Sequence, residues 1–200
     1  MSELQIKPWL SMWTRPRSTI EAVVAYRPTY RFWVLSGIIG WPAAIQVAQI
    51  YALSASFELP LILLMTVLAA PLLGALCITV VGGVVYFTGK LLGGKASFSE
   101  MKCAVSWSNI TSIISVLSYV IVIAYFRGGW FCPGWVNIHV DRYMAYVLFC
   151  LFLLQIVFVV WTVYLLIQSV SQVQRFSVWR SAANVGMAGI FLWGIVQVLG

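Results

Sequence analysis

The sequence predicts an all-α polytopic membrane protein with five transmembrane helices, N-terminus inside and C-terminus outside, preceded by a short cytoplasmic interfacial helix. Three observations carry that expectation. The 200 residues are 62% hydrophobic and only 8% charged, against roughly 45–50% apolar and about 25% charged in a soluble domain. Five apolar stretches reach the roughly 20 residues that a helix needs to cross a bilayer, and a helix satisfies its own backbone hydrogen bonds in lipid. The lysines and arginines alternate between connections in the manner of the positive-inside rule.

The elements follow in order. Residues 1–31 form a cytoplasmic segment, and residues 32–200 a single bundle. The predicted spans are about 32–53, 59–88, 104–126, 143–170 and 180–200. The second and fourth exceed what the hydrocarbon core requires, so they tilt, bend or project. Pro71 predicts a bend near Ala70 to Gly74, and Pro42 poses the same demand in the first span. Three segments carry helix-start signals: Ser18-Thr-Ile-Glu21, Ser97-Phe-Ser-Glu100 and, more weakly, Ser177-Val-Trp-Arg180. The first two have the S-x-x-E capping form, and the first predicts an interfacial amphipathic helix beginning at Ser18.

Charge orients the spans. Lys7, Arg15, Arg17, Arg27 and Arg31 precede the first; Lys90, Lys95 and Lys102 lie between the second and third; Arg175 and Arg180 lie between the fourth and fifth. Only Arg127 and Arg142 fall on the other side. The early basic residues interrupt any continuous apolar core in the first thirty residues, so no cleavable signal peptide is expected there. A net charge of +7 distributed in this way serves topology and attraction to anionic headgroups rather than nucleic-acid binding.

Chemistry is sparsely provided. No Asp, Glu, Lys or His falls inside a span as drawn, which argues against proton-coupled transport, voltage sensing and charge-selective conduction. Cys77, Cys103, Cys132 and Cys150 contain no C-x-x-C, so neither a metal site nor a disulfide framework is expected. Cys132 and His139 share the outer loop without a third orienting group, and a turn-rich loop with Trp130, Phe131 and Trp135 at the interface accounts for them. No enzyme activity and no cofactor are expected.

The third span is the most polar. Ser108, Thr111, Ser112, Ser115, Ser118 and Tyr119 recur at spacings of three and four along one face, with Asn109 beside it. Close helix packing explains such a face, and a solvated or headgroup-accessible groove is the alternative. Ala70-xxx-Gly74 and Ala182-xxx-Gly186 permit close backbone approach, while Gln46, Gln49, Gln155 and Asn184 suit interhelical hydrogen bonding.

Three segments carry a resemblance. P-W-L-S-M-W-T-R-P-R-S-T-I-E around Pro8 to Glu21, L-L-G-G-K-A-S-F-S-E around Gly93 and Gly94, and Q-S-V-S-Q-V-Q-R-F-S-V-W-R-S-A-A before the last span resemble the Yip family of Ypt/Rab-interacting integral membrane proteins, in its shorter bacterial branch. The chain departs from that family in two respects: Trp107-Ser108-Asn109-Ile110 stands where a proline often occurs, and the D-L-x-G-P type element of eukaryotic members is missing. Rab-GTPase binding is therefore not carried over. The resemblance implies a non-enzymatic adaptor or membrane-organising protein in the bacterial cytoplasmic membrane.

Its expected contacts are membrane lipids and a membrane or cytoplasmic protein partner, with homo-oligomerisation left open. The expected binding residues are Trp9, Trp13, Arg15, Arg17, Lys90, Lys95 and Lys102. The alternative function is a passive lipid or small-solute pathway lined by Ser108, Asn109, Thr111, Ser112 and Ser115.

Overall fold

Residues 7–132 and 140–199 are described by a computed structural model, and among them no strand occurs. The helices are α1 (Pro8–Thr14), α2 (Pro16–Tyr26), α3 (Phe32–Ile50), α4 (Leu59–Leu91), α5 (Phe98–Ser108), α6 (Ser112–Phe126), α7 (Arg142–Gln174) and α8 (Val178–Leu199). Four segments of the described residues are long and apolar enough to cross a membrane: Phe32–Ile50, Leu59–Leu91, Phe98–Phe131 and Arg142–Gln174. The helix Val178–Leu199 is not among them.

The N-terminal segment holds two helices where the sequence suggested one from Ser18. Each begins on a proline, whose missing N–H costs nothing at a first helical position and whose φ suits the helix. Pro16 therefore starts α2 two residues early. Ser18 caps nothing; its hydroxyl donates to the Arg15 carbonyl at 3.2 Å. The other two signals fit their elements. Ser97 and Glu100 form a full capping box at the start of α5, an arrangement whose loss typically costs about 1 kcal/mol, and Ser177 accepts from the Arg180 N–H at 3.4 Å.

The third apolar segment begins six residues before the expected Ala104 and is broken by a 3-10 turn at Asn109–Thr111. The chain thus interrupts its helix without proline. Above this turn the second half of α5 is buried, from Cys103 to Ser108 without a gap. Below it, α6 buries only Val122 and Ile123.

Exposed aromatic side chains on α3 and α7 recur at a spacing close to the thickness of a bilayer's hydrocarbon. On α3, exposed Trp33 and Tyr51 flank the helix eighteen residues apart, and on α7 the exposed pairs Tyr143 with Trp161 and Tyr146 with Tyr164 repeat that spacing. Eighteen residues rise about 27 Å, close to the roughly 30 Å hydrocarbon thickness that aromatic belts bracket. The last ten residues of α7 therefore project about 15 Å past the belt at Trp161 and Tyr164. There Leu165, Ser169, Val170, Ser171 and Gln174 are buried again.

They are buried because a cap surrounds them. α2 packs on α7 and α5, α1 packs on α2, and the ends of α4 and α8 close the remaining sides. One apolar cluster joins Met12, Ile20 and Val23 to Leu35, Trp107, Ile110 and Leu165. A second joins Val85, Ala96, Met101, Val170 and Ala188. A third, at the opposite end, joins Ile45, Ala48, Ile62, Ile123 and Phe131. Between Met144 and Leu165, α7 buries no residue.

The closest helix contact is α3 against α4. A Cβ placed on Gly40 would lie 1.9 Å from the Ala70 carbonyl oxygen, and one on Gly74 would lie 1.8 Å from that of Ser36. The backbones meet at these glycines, as the Ala70-xxx-Gly74 pattern suggested, with Ser36-xxx-Gly40 as its partner. Both helices run unbroken through Pro42 and Pro71. The second small-residue pattern behaves differently: α8 buries Ser181, Asn184 and Ala188, whereas a Cβ on Gly186 would meet nothing within 4 Å.

Candidate functional site

Two places combine polar chemistry with accessible space: the capped basic end and a slot between α6 and α7. At the basic end, the expected binding residues divide into anchors and free charges. Trp9 is half-buried with its ring edge-on to buried Trp107 at 5.4 Å, and Trp13 meets Phe158 at 5.9 Å. Both thus clamp α1 to the bundle.

Arg15 and Arg17 flank the start of α2, both exposed. Arg17 Nη2 donates to Ser171 Oγ at 2.9 Å, fixing the side chain against the projecting end of α7. Of the lysines, Lys95 is exposed and Lys90 lies 5.3 Å over the Tyr86 ring. Lys102 is half-buried; its ammonium stands 5.0 Å over Phe98 and 5.6 Å over Phe32, and its stem covers Gly82. Such cation–π seats restrain an ammonium while leaving its charge near the surface.

The two connections that resemble a known family pack against each other. α4 ends with Gly93 at φ +82°; Gly93 N–H donates to Lys90 O at 3.0 Å and Gly94 N–H to Gly89 O at 2.8 Å. That is the left-handed helix stop for which glycine is favoured. Buried Gln174, from the end of α7, fills the hollow beside it. Its Oε1 accepts from the Ala96 N–H at 3.3 Å, and a Cβ on Gly94 or Gly89 would fall 1.9 or 2.0 Å from its amide atoms. Beside it, buried Thr88 and Asn184 bond at 2.5 Å and Asn184 reaches the Val85 carbonyl at 3.3 Å. Arg180 Nη2 donates to the Leu92 carbonyl at 2.9 Å, satisfying one of the orphan acceptors of α4. Gln174 and Thr88 carried no individual signal in the sequence; only the family-like segment around Gln174 marked the place.

The polar face of the third span is split by the 3-10 turn. Ser108 is fully buried and donates to Val105 O at 2.9 Å, and Asn109 Nδ2 donates to the same carbonyl at 2.8 Å. These two serve the turn. Farther down, the Thr111 and Thr162 hydroxyls pair, Gln155 Nε2 donates to Ser115 Oγ at 2.8 Å, and Gln46 Nε2 donates to Tyr119 Oη at 3.2 Å. Gln46 and Gln155 thus meet the serine face; Asn184 bonds elsewhere, and Gln49 Nε2 is buried with no hydrogen-bond partner among the described residues.

These pairs cross two cavities between α6 and α7. One of about 350 Å³ is lined by Pro42, Gln46, Ser118, Tyr119, Trp130 and neighbours, and one of about 290 Å³ by Asn109, Thr111, Ser112, Phe158 and Thr162. Ser115 and Gln155 border both. Interhelical hydrogen bonds between such polar side chains are worth about 0.6 kcal/mol each on average in a membrane protein.

At the opposite end, Ser54 Oγ donates to Cys132 Sγ at 3.2 Å. His139, Trp135 and the rest of residues 133–139 lie outside the described residues. Among the described residues no group of three His, Cys, Asp or Glu side chains could hold a metal.

No curated protein and no solved structure matches the chain significantly. The family model of the Yip1 domain matches residues 10–200, a range that takes in the later part of α1, all of α2, the Gly93–Gly94 stop and the Gln174 connection. The chain is a membrane protein of the Yip1 domain family.

Proposed function

We propose that this chain is a non-enzymatic adaptor or membrane-organising protein that crosses the bacterial cytoplasmic membrane five times, N-terminus inside, and binds anionic lipid or a protein partner through its cytoplasmic cap. The observation that carries the reading is the gathering of charge. Ten of the twelve Lys and Arg residues lie on or beside α1 and α2, or on the helix ends and connections that build the cap. Cationic residues favour the cytoplasmic side, and each one near an anionic surface contributes about 1 kcal/mol of attraction. The fifth crossing is assigned to Val178–Leu199, whose exposed Trp179 stands beside the cap.

The test is a lysine variant designed to keep the fold. Lys90→Glu with Lys95→Glu reverses two surface charges, while Lys102→Gln spares the Phe32 and Phe98 seat an added anion. Anionic lipid and proteins co-purifying in mild detergent are expected to fall several-fold, with the melting temperature unchanged. Undiminished co-purification would count against the reading.

The slot supports a second reading, a passive lipid or small-solute pathway, because its two cavities meet at Ser115 and Gln155. Cysteines placed at Ser112 and Ser115 are expected to react with a membrane-impermeant thiol reagent only if water or headgroups reach them. Protection at both sites, with a Lys95→Cys control labelled, would remove this reading.

A further inference from the structure

Beside the start of α2, two arginines and the flank of α7 border an accessible hollow. A cavity of about 280 Å³ is bounded by Arg15, Pro16, Arg17 and Ser18 on one side and by Tyr164 and Gln168 of α7 on the other. None of the six is acidic. Resting on the lipid-binding reading above, we propose that this cavity is a specific site for the phosphate of an anionic glycerophospholipid, distinct from the diffuse attraction of the lysines.

Three features argue for it. The first is chemical. Two guanidinium groups offer planar forks of N–H donors suited to phosphate oxygens, and the Gln168 amide adds a neutral donor of the kind that orients a headgroup. The start of α2 has no side-chain cap, so its orphan N–H groups and the positive end of the helix dipole add to the field.

The second feature is fixation. Arg17 is held by Ser171, and α2, which carries Arg17 and follows directly on Arg15, is pinned through buried Pro16, Thr19, Ile20 and Val23. Thr19 Oγ1 also donates to the Arg15 carbonyl at 2.7 Å. A prearranged site loses less freedom on binding than a mobile basic loop.

The third feature is height, and it selects the occupant. Tyr164 belongs to the inner aromatic belt of α7, and Gln168 lies one turn, about 6 Å, above it. A group bound between them and the arginines stands just outside the hydrocarbon, where the phosphates of a bilayer lie and where acyl chains can descend beside Tyr164.

Native mass spectrometry of the full-length protein, titrated with phosphatidylglycerol or phosphatidylcholine, tests the site. One phosphatidylglycerol per chain is expected to be retained at least tenfold more tightly than phosphatidylcholine. Arg15→Gln with Arg17→Gln is expected to remove that preference at the one tightly held lipid, and Lys90→Glu with Lys95→Glu to lower only the further, diffusely attracted anionic lipid. Folding is not at risk from the arginine variant, because Ser171 keeps its bond to the Phe176 carbonyl at 3.0 Å; an unchanged melting temperature in phosphatidylcholine checks this.

Equal retention of both lipids overturns the proposal. So does displacement of the bound lipid by millimolar inorganic phosphate, which would mark a soluble anion as the occupant. If the lysine variant loses anionic lipid and the arginine variant does not, this site is wrong and the broader reading stands. If neither variant changes retention, both fall.

Discussion

Gly74→Leu is expected to abolish the assembled bundle. The first added carbon would lie 1.8 Å from the Ser36 carbonyl oxygen and 2.9 Å from the Gly40 nitrogen, so α3 and α4 could accommodate it only by moving apart along their whole contact. Overpacking a core with flexible neighbours typically costs about 1–3 kcal/mol; here the obstacle is backbone on both sides, and a loss beyond about 3 kcal/mol follows. The measurement is the fraction of detergent-solubilised protein that remains monodisperse on size exclusion after heating. Gly186→Leu serves as the control, since nothing lies within 4 Å of that position, and a surface change of this kind is expected to stay within about 0.5 kcal/mol. Equal behaviour of the two variants would show that the Gly40–Gly74 crossing does not hold the bundle together.

The second large effect concerns Gln174. Gln174→Ala leaves the buried Ala96 N–H without its acceptor, a loss of about 1–3 kcal/mol, and opens a cavity between Gly89 and Gly94 that adds to it. Gly94→Ala is expected to destabilise for the opposite reason, since its methyl would overlap Gln174 Oε1 and press on the Gly89 carbonyl. The double variant is the informative one. With Gln174 shortened, the methyl introduced by Gly94→Ala enters the space vacated, and the combined cost is expected to fall short of the sum by at least about 1 kcal/mol, the signature of residues in direct contact. Strict additivity in thermal melts would mean that the two connections do not meet through this side chain.

These two contacts also mark where reading the sequence succeeded and where it ran out. Four of the apolar runs were legible, because lipid forces each spanning segment to be long, apolar and helical. Ala70-xxx-Gly74 was legible for the same reason, since small residues at helix spacing permit only a few uses. The Ser97 capping box was visible because it acts over three residues, whereas Ser18 misled because the proline two residues before it is an equally local and stronger start signal.

What the sequence hid is relational. Gln174 reaches Gly94 across eighty positions, and nothing in either residue names the other. α1 was missed because Trp9 and Trp13 have the composition of interfacial anchors whether they face lipid or, as here, a neighbouring helix. The serine face read as one stripe, but the 3-10 turn at Asn109–Thr111 divides it into a part that satisfies backbone and a part that borders the slot. That turn lies where α5, enclosed by the cap, passes into α6.

The spacing of the aromatic belts has a consequence for where such a molecule is at ease. A girdle of about 27 Å matches a slightly thin bilayer, and accommodating a thicker one costs a fraction of a kcal/mol for every ångström of mismatch. Because the cap above is folded and polar, the chain cannot relieve that mismatch by drawing more helix into the oil. The surrounding lipid has to thin instead.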